Sequence, residues 1–279
     1  MTILDAHVHV WDPEHLPYDW LADAGILNRP FLPGDLDDAD GRVGEWVFVE
    51  ADVSPDHREQ EADWVADAAW PGLVGIVAAV RLDDPDLAAR LDALAARPRV
   101  VGVRDLLQDD SLARFEDEGV RAGLRAVGEN GLRFDACVRW PQLGALDSLI
   151  ATAPGTPVVI DHLGKPPVDD GLASAAGRRW RDDLARIAER PHVHVKCSGL
   201  AAEASSPAIL AARGPAFVAE AVALFGAERV LLGSDQPVSG VAATGVSSTA
   251  WIDLVEDAVP AEAWAWIGRE AARRFYSLV

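Results

Sequence analysis

Eight short apolar runs of strand-like composition alternate along this chain with segments of helical periodicity. The runs are Ile3 to Val10, Trp46 to Ala51, Leu73 to Val80, Val100 to Leu106, Arg133 to Val138, Pro157 to Leu163, Val193 to Leu200 and Arg229 to Val238. The helical segments, rich in Ala, Leu, Arg and Glu, include 55–69, 85–97, 119–130, 175–190 and 208–225. In a chain of 279 residues, this alternation predicts an α/β fold, the (β/α)₈ TIM barrel, as one domain over residues 1–279.

A doubly wound open sheet is the alternative architecture for such a pattern. It is disfavoured because no Gly-x-Gly-x-x-Gly follows any of the strands, so the usual nucleotide-binding signature is missing. The longest irregular stretch, 11–44, is too long for an ordinary strand-to-helix connection and carries Trp11, Tyr18 and Trp20. Segments of this kind often act as lids, and we expect this one to cover the barrel mouth.

Charge and cysteine content narrow the function classes. The formal charge of -20, from 45 acidic and 25 basic residues, disfavours nucleic-acid binding, which needs a basic surface. Cys137 and Cys197 lie inside apolar runs without zinc-finger spacing, which predicts small core residues. We found no cleavable leader before Asp5 and no run of 18 apolar residues, so we expect a cytoplasmic protein that does not enter membranes.

The first strand carries a His-x-His pair that is typical of metal sites. Asp5, His7 and His9 alternate along the strand and are expected to share one face. Two imidazoles at this spacing can present nitrogen atoms to one divalent metal ion. The alternative is a chance pair on a solvated strand, but the remaining positions of this strand are apolar, which predicts that the pair is enclosed.

In barrel enzymes the reacting groups lie at the carboxyl ends of the strands. The polar residues at the predicted ends are His7, His9, Glu50, Arg104, Asp105, Arg139, His162, Lys196 and Asp235. Asp235 would lie beside strand one in a closed barrel, where a carboxylate can act as general base toward water. His162 could be a third metal ligand or a donor to the reacting carbonyl. Lys196 could polarise that carbonyl or pair with Asp235.

Each of these residues also has a purely structural interpretation. Glu50 could form only a salt bridge with Arg104 or Lys196, and Arg104 and Arg139 could hold the barrel rim together. Asp235 could be a turn residue before Gln-Pro, and His162 a core histidine.

Two other patterns point away from chemistry. His192 and His194 form a second His-x-His, but they begin strand seven and therefore lie at the opposite end of the barrel, so we predict that they bind no metal. A serine nucleophile has no support, because the chain has no Gly-x-Ser-x-Gly.

Four ordered motifs at four strand ends carry a resemblance to a known family. They are Asp5-Ala-His-Val-His-Val-Trp-Asp-Pro13, Val159-Ile-Asp-His-Leu-Gly-Lys-Pro166, Val195-Lys-Cys-Ser-Gly-Leu200 and Leu232-Gly-Ser-Asp-Gln-Pro237. Together they resemble the amidohydrolase-related family of metal-dependent barrel hydrolases. The most similar branch is that of sugar-acid lactonases and 2-pyrone-4,6-dicarboxylate lactonases. The resemblance runs from residue 3 to the carboxyl terminus.

The resemblance implies a role for each matching residue. His7 and His9 match the first-strand pair that binds metal or the carbonyl, and Glu50 matches a position near the metal. His162 matches the sixth-strand histidine, and Asp235, a metal-site residue, matches the base of the eighth strand. The family analogy implies water attack on a lactone carbonyl, aided by one divalent ion such as zinc or, as in some relatives, by the histidines alone.

The chain also departs from the family pattern. Asp105 stands where the family often has His, and Gln236 replaces the usual Trp; we expect both to line the mouth and to contact substrate. The carboxylated lysine of the superfamily's fourth strand is absent, so no more than one metal ion is expected. These departures motivate two alternatives to a lactonase: a metal-dependent decarboxylase of the same superfamily, or a catalytically weakened barrel that binds a metabolite.

The expected substrate is a neutral sugar lactone. A dicarboxylate inside an acidic protein would need a dense arginine cluster, and Arg104 and Arg139 are the obvious candidates. Trp11, with Trp20 and Trp140, could offer flat faces to a sugar ring, although tryptophans more often serve the core. The expected partner is a small molecule, with no nucleic acid and no membrane, and formation of a homo-oligomer is left open.

Overall fold

The computed structural model describes residues 1–242 and 244–278. Eight strands form one parallel sheet in the order of the sequence. They are β1 (Ile3–Val8), β2 (Val43–Val49), β3 (Leu73–Ala79), β4 (Val100–Leu106), β5 (Arg133–Cys137), β6 (Val158–Ile160), β7 (Val193–Cys197) and β8 (Val230–Leu232). The sheet closes where Val8 bridges Gln236 and where the His9 amide donates to the Gln236 carbonyl at 2.8 Å. The predicted TIM barrel is confirmed.

Helices surround the strands. They are α1 (Arg58–Asp67), α2 (Leu87–Ala95), α3 (Glu118–Glu129), α4 (Leu143–Ile150), α5 (Ala175–Ala188), α6 (Pro207–Phe225), α7 (Val238–Val241), α8 (Ser248–Ala258) and α9 (Ala271–Phe275). Of these, α6 is long and apolar enough to cross a membrane by length and composition, with a mean hydropathy of 1.6. It packs beside α5 and α8 and against β7 and β8, as a barrel helix does. Its bounds agree with the helical segment 208–225 predicted from the sequence.

The strands separate two apolar layers. Outward-facing side chains such as Phe48 and Val195 pack beneath the helices, whereas Val47, Val159 and Leu231 fill the barrel interior. Tyr276, near the end of the chain, joins the interior layer. This alternation between the two faces is why strand positions two residues apart can deliver polar groups into the barrel.

Strand β1 departs from simple alternation. Its register with β2 shifts between Asp5 and Val8. Strict alternation predicted that the Asp5 carboxylate would lie beside the two imidazoles, and this was wrong. The carboxylate instead accepts hydrogen bonds from the backbone N–H groups of His7 at 3.1 Å and Ser234 at 2.9 Å. Asp5 therefore joins the two strands at the barrel's closing seam.

The long segment 11–44 packs on the barrel with an apolar cluster of its own. Trp11 pairs with Phe31 across an antiparallel bridge, and both lie with Tyr18 and Leu21 in this cluster. The Trp11 indole donates to the carbonyl of Arg29 at 2.9 Å. The segment forms a wall at the barrel mouth; its action as a lid stays a prediction.

Candidate active site

Three imidazoles surround one carboxylate at the carboxyl ends of the strands. His7 and His9 come from the end of β1, His162 follows β6 and Asp235 follows β8. From Asp235 Oδ1, the distances to the Nε2 atoms of His9, His7 and His162 are 3.4, 3.7 and 3.8 Å. The Nε2 atoms of His7 and His9 are 3.2 Å apart. All four side chains are buried.

Left-handed backbone conformations direct two of these side chains inward. Asp235 has φ 61° and His162 has φ 55°, a region that costs most side chains energy. Gly199, with φ 68°, lies against the imidazole of His162, and a Cβ at this position would be 2.4 Å from its Nδ1. A glycine is therefore required both for its own conformation and for the approach of His162.

Hydrogen bonds at the far nitrogens orient the rings. His9 Nδ1 lies 2.8 Å from the carbonyl oxygen of Val49, and since a carbonyl only accepts, the ring proton belongs on Nδ1. The lone pair of His9 Nε2 is thereby left facing Asp235. His162 Nδ1 lies 2.9 Å from Ser198 Oγ, and the Ser239 hydroxyl donates to Asp235 Oδ2 at 2.8 Å.

A buried ion cluster lies beneath His7. Its Nδ1 is 3.2 Å from Asp161 Oδ1 and 3.2 Å from Lys196 Nζ. Lys196 also pairs with Asp135 and, at 3.2 Å, with Asp161. Below it, the Tyr276 hydroxyl donates to Asp135 Oδ2 at 2.8 Å. Lys196 thus pairs with Asp135 and Asp161. A pairing with Asp235 was one of the alternatives considered from the sequence, and it is not the pairing observed.

The surroundings set the protonation states of the site. Burial alone would raise the pKa of Asp235, but at the acidic pH where this carboxyl titrates the positive charge of nearby imidazoles, that of His162 first, outweighs burial and holds the pKa well below its ordinary value. Burial, followed by the charge of Lys196, lowers the pKa of His7 well below its usual range. Burial lowers the pKa of His162 to about 4. At neutral pH, an ionised carboxylate therefore faces neutral rings of His7 and His162.

A cavity of about 350 Å³ opens above this cluster. His9, His162 and Asp235 contribute to its lining, and Trp11 and Trp20 of the 11–44 segment contribute as well. The remaining lining includes the polar side chains of Arg104, Gln108, Lys165 and Glu203. The cavity thus places a reactive carboxylate next to both aromatic and hydrogen-bonding surfaces, as small-molecule sites do.

Donor atoms suited to a metal ion are found in two groups of the described residues. One group is His7, His9 and Asp235, and the other is His7, Asp161 and His162, each with its ligand atoms within 4.8 Å of one another. Neither group includes Glu50. Histidine nitrogens with one carboxylate are ligands that zinc and similar ions accept.

Glu50 and Arg104 bind each other. Arg104 Nε lies 2.6 Å from Glu50 Oε1, and the second oxygen of Glu50 accepts the Asp52 amide at 2.7 Å. The salt bridge considered from the sequence is therefore present. Arg104 also reaches Asp161 at 3.5 Å and contributes to the cavity wall. Burial lowers the pKa of Arg104, but Glu50 and Asp161 outweigh it, so that the pKa is raised.

The other residues expected to bind substrate lie away from this cavity. Asp105 is buried and accepts from Arg114 at 2.6 Å and from the Leu82 amide at 2.9 Å. Arg139 is half exposed and pairs with Asp109 at 3.1 Å. The side chain of Gln236 accepts from the Asp37 amide at 2.7 Å and donates to its carbonyl at 3.0 Å, which ties the 11–44 segment to the barrel.

The second histidine pair lies where the sequence placed it, in the amino-terminal part of the β7 region. The His194 ring packs 4.7 Å from that of Phe275, at the end of the barrel opposite the cavity. Neither His192 nor His194 belongs to the metal-capable groups among the described residues. Both cysteines are buried and free, as expected of core residues, although Cys137 also reaches the cavity wall.

Sequence reasoning missed several partners of the site. Asp161 is adjacent to His162 in a motif already singled out, so its position at a strand end was a usable signal. Asp135 interrupts an apolar strand, which also signals an interior charge. Tyr276 and Ser239 lie in segments without any such pattern, and only the fold brings them to Asp135 and Asp235.

A parallel barrel with an ionised aspartate among three histidines at the carboxyl ends of its strands defines a TIM-barrel enzyme of the hydrolase type. The amidohydrolase family model matches residues 4–278. The chain therefore belongs to the amidohydrolase family.

Individual relatives are consistent with this assignment. The chain is 31% identical over 258 residues to an L-fucono-1,5-lactonase of Burkholderia ambifaria, covering 91% of this chain and 86% of the relative. It is 30% identical over 251 residues to an L-fucono-1,5-lactonase of Burkholderia multivorans, covering 86% and 84%. A crystal structure of an amidohydrolase from Burkholderia multivorans with bound zinc superposes with a TM-score of 0.87 at 27% identity and covers 100% of both chains.

Proposed function

We propose that this enzyme is a lactonase that opens the lactone of a sugar acid by attack of water on the ring carbonyl. The observation that carries the proposal is the ionised Asp235 among three imidazoles, at a cavity large enough for a sugar ring. The lactonases among its relatives support the same reaction. The whole chain, residues 1–279, is proposed to form the one domain that performs it, in agreement with the family match over residues 4–278.

Asp235 is the proposed general base. Its low pKa keeps it ionised, and His9 and His162 line the cavity beside it, so a water molecule there can be deprotonated as it attacks. His162 is proposed to donate a hydrogen bond to the oxyanion that develops on the carbonyl. As the oxyanion collapses, the ring C–O bond breaks and the proton taken up by Asp235 passes to the departing ring oxygen, which gives the hydroxy acid and restores the carboxylate. Ser239 and Ser198 hold Asp235 and His162 in place through their hydroxyl groups.

Lys196 is proposed to be a positioning residue. It has no exposed surface and does not line the cavity, so its ammonium would act on substrate only through His7 and Asp161. Direct polarisation of the carbonyl by Lys196, the other role expected from the sequence, stays a prediction.

One divalent metal ion fits the site, and His7, His9 and Asp235 would hold it. The fit is supported by His9, whose proton is fixed on Nδ1 so that its Nε2 lone pair and the Asp235 carboxylate face one point. When bound, such an ion lowers the pKa of water and polarises a carbonyl. We propose zinc because its preferred ligands are imidazole and carboxylate. Participation of Glu50 as a ligand stays a prediction. Both of its carboxylate oxygens have other partners, the Asp52 amide and Arg104.

Substrate contacts are proposed for Trp11 and Arg104. Trp11 belongs to the cavity wall, although its side chain is fully buried against the 11–44 cluster, and Arg104 presents guanidinium donors to ring hydroxyls. Arg139 and Gln236, also predicted to contact substrate, would affect its binding only through the loops that they hold. Asp105 lines a neighbouring cavity and not this one. Acidic groups such as Glu203 and Asp109 also line the cavity, which favours a neutral sugar lactone over a dicarboxylate.

A panel of aldonolactones, including L-fucono-1,5-lactone, tests the proposal by release of acid, with zinc supplied and again with chelator. Hydrolysis of at least one sugar lactone is expected, whereas no turnover on any member would refute the lactonase assignment. Release of carbon dioxide from an aromatic carboxylic acid, without lactone hydrolysis, would identify the decarboxylase alternative. Tight binding with rates that do not change in Asp235→Asn would identify a metabolite-binding barrel.

The partners and cellular location of the enzyme are proposed from the same observations. Its partner is a small molecule, and the acidic surface is unsuited to nucleic acid. A cytoplasmic location is proposed because helix α6, the long apolar helix, is one of the barrel's own. The oligomeric state is to be measured by sedimentation.

A further inference from the structure

A second cavity adjoins the one above Asp235. It has a volume of about 270 Å³ and lies at the carboxyl ends of β2, β3 and β4. Five residues line both cavities, including Arg104, Leu106 and Gln108, so the two lie side by side at the barrel mouth. The first cavity alone, about 350 Å³, has the size of an ordinary small-molecule site. The second cavity is therefore additional space beyond the ring that reacts.

Two charged side chains at the second cavity have free hydrogen-bonding groups. In the described part of the chain, no carboxylate oxygen lies within 4.0 Å of the Arg58 guanidinium and no residue accepts a hydrogen bond from it, although burial raises the pKa of the nearby Asp52 carboxyl and the charge of Arg58 opposes this rise. The carboxylate of Asp52 likewise accepts no hydrogen bond from the described residues, although its backbone amide donates to Glu50. A donor and an acceptor are thus available to a ligand in this cavity.

The charge of the lining selects the chemical class of that ligand. Three arginines line the second cavity, against five carboxylates: Glu50, Asp52, Asp105, Asp109 and Asp110. The excess of negative charge disfavours an anionic substituent. Hydroxyl groups both donate and accept, so a neutral hydroxyl-rich group can satisfy a guanidinium and a carboxylate at once.

We propose that the second cavity is a subsite for a sugar residue attached to the lactone ring. The enzyme would then favour the lactone of a disaccharide acid over that of a monosaccharide acid. The proposal rests on the lactonase function argued above and specifies its substrate class. Arg58 and Asp52 are its specificity-determining residues, and the reacting ring remains over Asp235 in the first cavity.

Three lactones with the same reacting ring test the proposal: D-glucono-1,5-lactone, cellobiono-1,5-lactone and melibiono-1,5-lactone, which differ in the attached sugar. We expect kcat/KM to be about tenfold higher for at least one of the two disaccharide lactones, as one or two added hydrogen bonds would give. Hydrolysis of a monosaccharide lactone, L-fucono-1,5-lactone included, without any gain from the attached sugar would overturn the subsite and leave the lactonase function standing. No hydrolysis of any lactone would overturn both.

Replacement of Arg58 shows whether this residue binds the attached sugar or only supports the fold. Arg58 lines the second cavity and not the first, so Arg58→Ala is expected to raise KM for the favoured disaccharide lactone about tenfold more than KM for gluconolactone. The control is Arg274→Ala, which removes an exposed arginine paired with Glu228 at the other end of the barrel and should not change the ratio. An equal rise for both lactones in Arg58→Ala would mean a structural role and would contradict the proposal.

Discussion

The chemistry of the site depends on one carboxylate kept ionised inside the protein. A buried aspartate normally gains protons, because a charge is costly away from water. At Asp235 the surrounding imidazoles reverse this tendency, and the Ser239 hydroxyl donates a hydrogen bond to the carboxylate. A carboxylate held in this way can either accept a proton from water or serve as a metal ligand. The same residue therefore connects both proposed features of the mechanism.

Replacement of this carboxylate tests its role as base. Asp235→Asn keeps the shape of the side chain but removes its charge and basicity, and we expect kcat on the best lactone to fall by about 10²–10⁴-fold. Ser239→Ala, which removes only the hydroxyl that donates to Asp235 Oδ2, should lower kcat by about tenfold or less. A rate within tenfold of the native enzyme in Asp235→Asn would contradict the assignment.

The two His-x-His pairs give a matched test of metal binding. His9→Gln removes a donor atom beside Asp235, so we expect the zinc content, measured by elemental analysis after dialysis, to fall from about one ion per chain to nearly none. His194→Gln makes the same change at the far end of the barrel, against Phe275, and should leave the zinc content unchanged. Equal zinc contents in the two variants would mean that His9 is not a ligand.

At the scale of elements, the loops that follow the strands determine where the reactive groups lie. His162 leaves β6 in a left-handed turn, and Gly199, just beyond β7, has no side chain where the ring of His162 packs. Short connections with such conformations carry strain, which the packed barrel beneath them supports. The position of His162 therefore depends on two neighbouring strands.

Gly199→Ala tests this dependence. The added Cβ would be 2.4 Å from His162 Nδ1, at a φ of 68° that alanine avoids, so His162 must move. We expect kcat to fall by about tenfold to a hundredfold while the circular dichroism spectrum stays native. The control is Gly144→Ala in α4, where a Cβ meets nothing within 4 Å and where alanine should stabilise the helix by up to about 1 kcal/mol. Unchanged kinetics in Gly199→Ala would show that His162 is not essential.

The strands were predictable and several helices were not, for physical reasons. Buried parallel strands are continuous apolar runs, so all eight predicted runs correspond to strands. Helix α4 is apolar on most of its length and only eight residues long, so it has no clear amphipathic period. The predicted run 229–238 was too long, because β8 ends at Leu232 before the left-handed Asp235.

The site was predictable where its residues belong to strand-end motifs. His7, His9, His162 and Asp235 were expected to meet because the carboxyl ends of all barrel strands lie on one face, and the structure brings them together. The pairing of Lys196 with Asp135 depends on how deep each side chain reaches into the barrel, which alternation alone does not give.

At the scale of the whole molecule, a buried ion cluster occupies the barrel interior between the cavity and the far end. Lys196 has no exposed surface and lies between Asp135 and Asp161. Burial raises the pKa of Asp135 to about 6, although Lys196 opposes this shift. Charges in such a place are costly unless each keeps its partner.

Removal of the lysine should therefore cost more than removal of a peripheral contact. Lys196→Met leaves the buried Asp135 without its cation and Asp161 with Arg104 alone, and we expect the free energy of unfolding in urea to fall by about 3–5 kcal/mol. Tyr276→Phe removes one hydrogen bond to Asp135 and should cost about 1–2 kcal/mol. Equal stabilities of Lys196→Met and the native protein would mean that the cluster contributes nothing to the fold.

The stability of the whole molecule should also depend on pH through Glu61 of α1. This carboxyl is buried, and burial, followed by the nearby charge of Glu50, raises its pKa well above the ordinary 4.5. Below pH 4.5 Glu61 is protonated in both the folded and the unfolded chain. Above it, the unfolded chain releases a proton that the folded chain retains, so this group lowers the free energy of unfolding as pH rises toward the folded-state pKa.

Glu61→Gln removes the titration and keeps an oxygen that can accept the Ala51 amide, as Glu61 Oε1 does at 3.2 Å. We expect the variant to be more stable than the native protein at pH 8, by about 1–2 kcal/mol, and to lose this advantage by pH 5. Urea denaturation at both pH values measures the difference, with Asp67→Asn, an exposed residue at the end of the same helix, as the control. A constant difference between Glu61→Gln and the native protein at the two pH values would show that Glu61 is ionised in the folded chain.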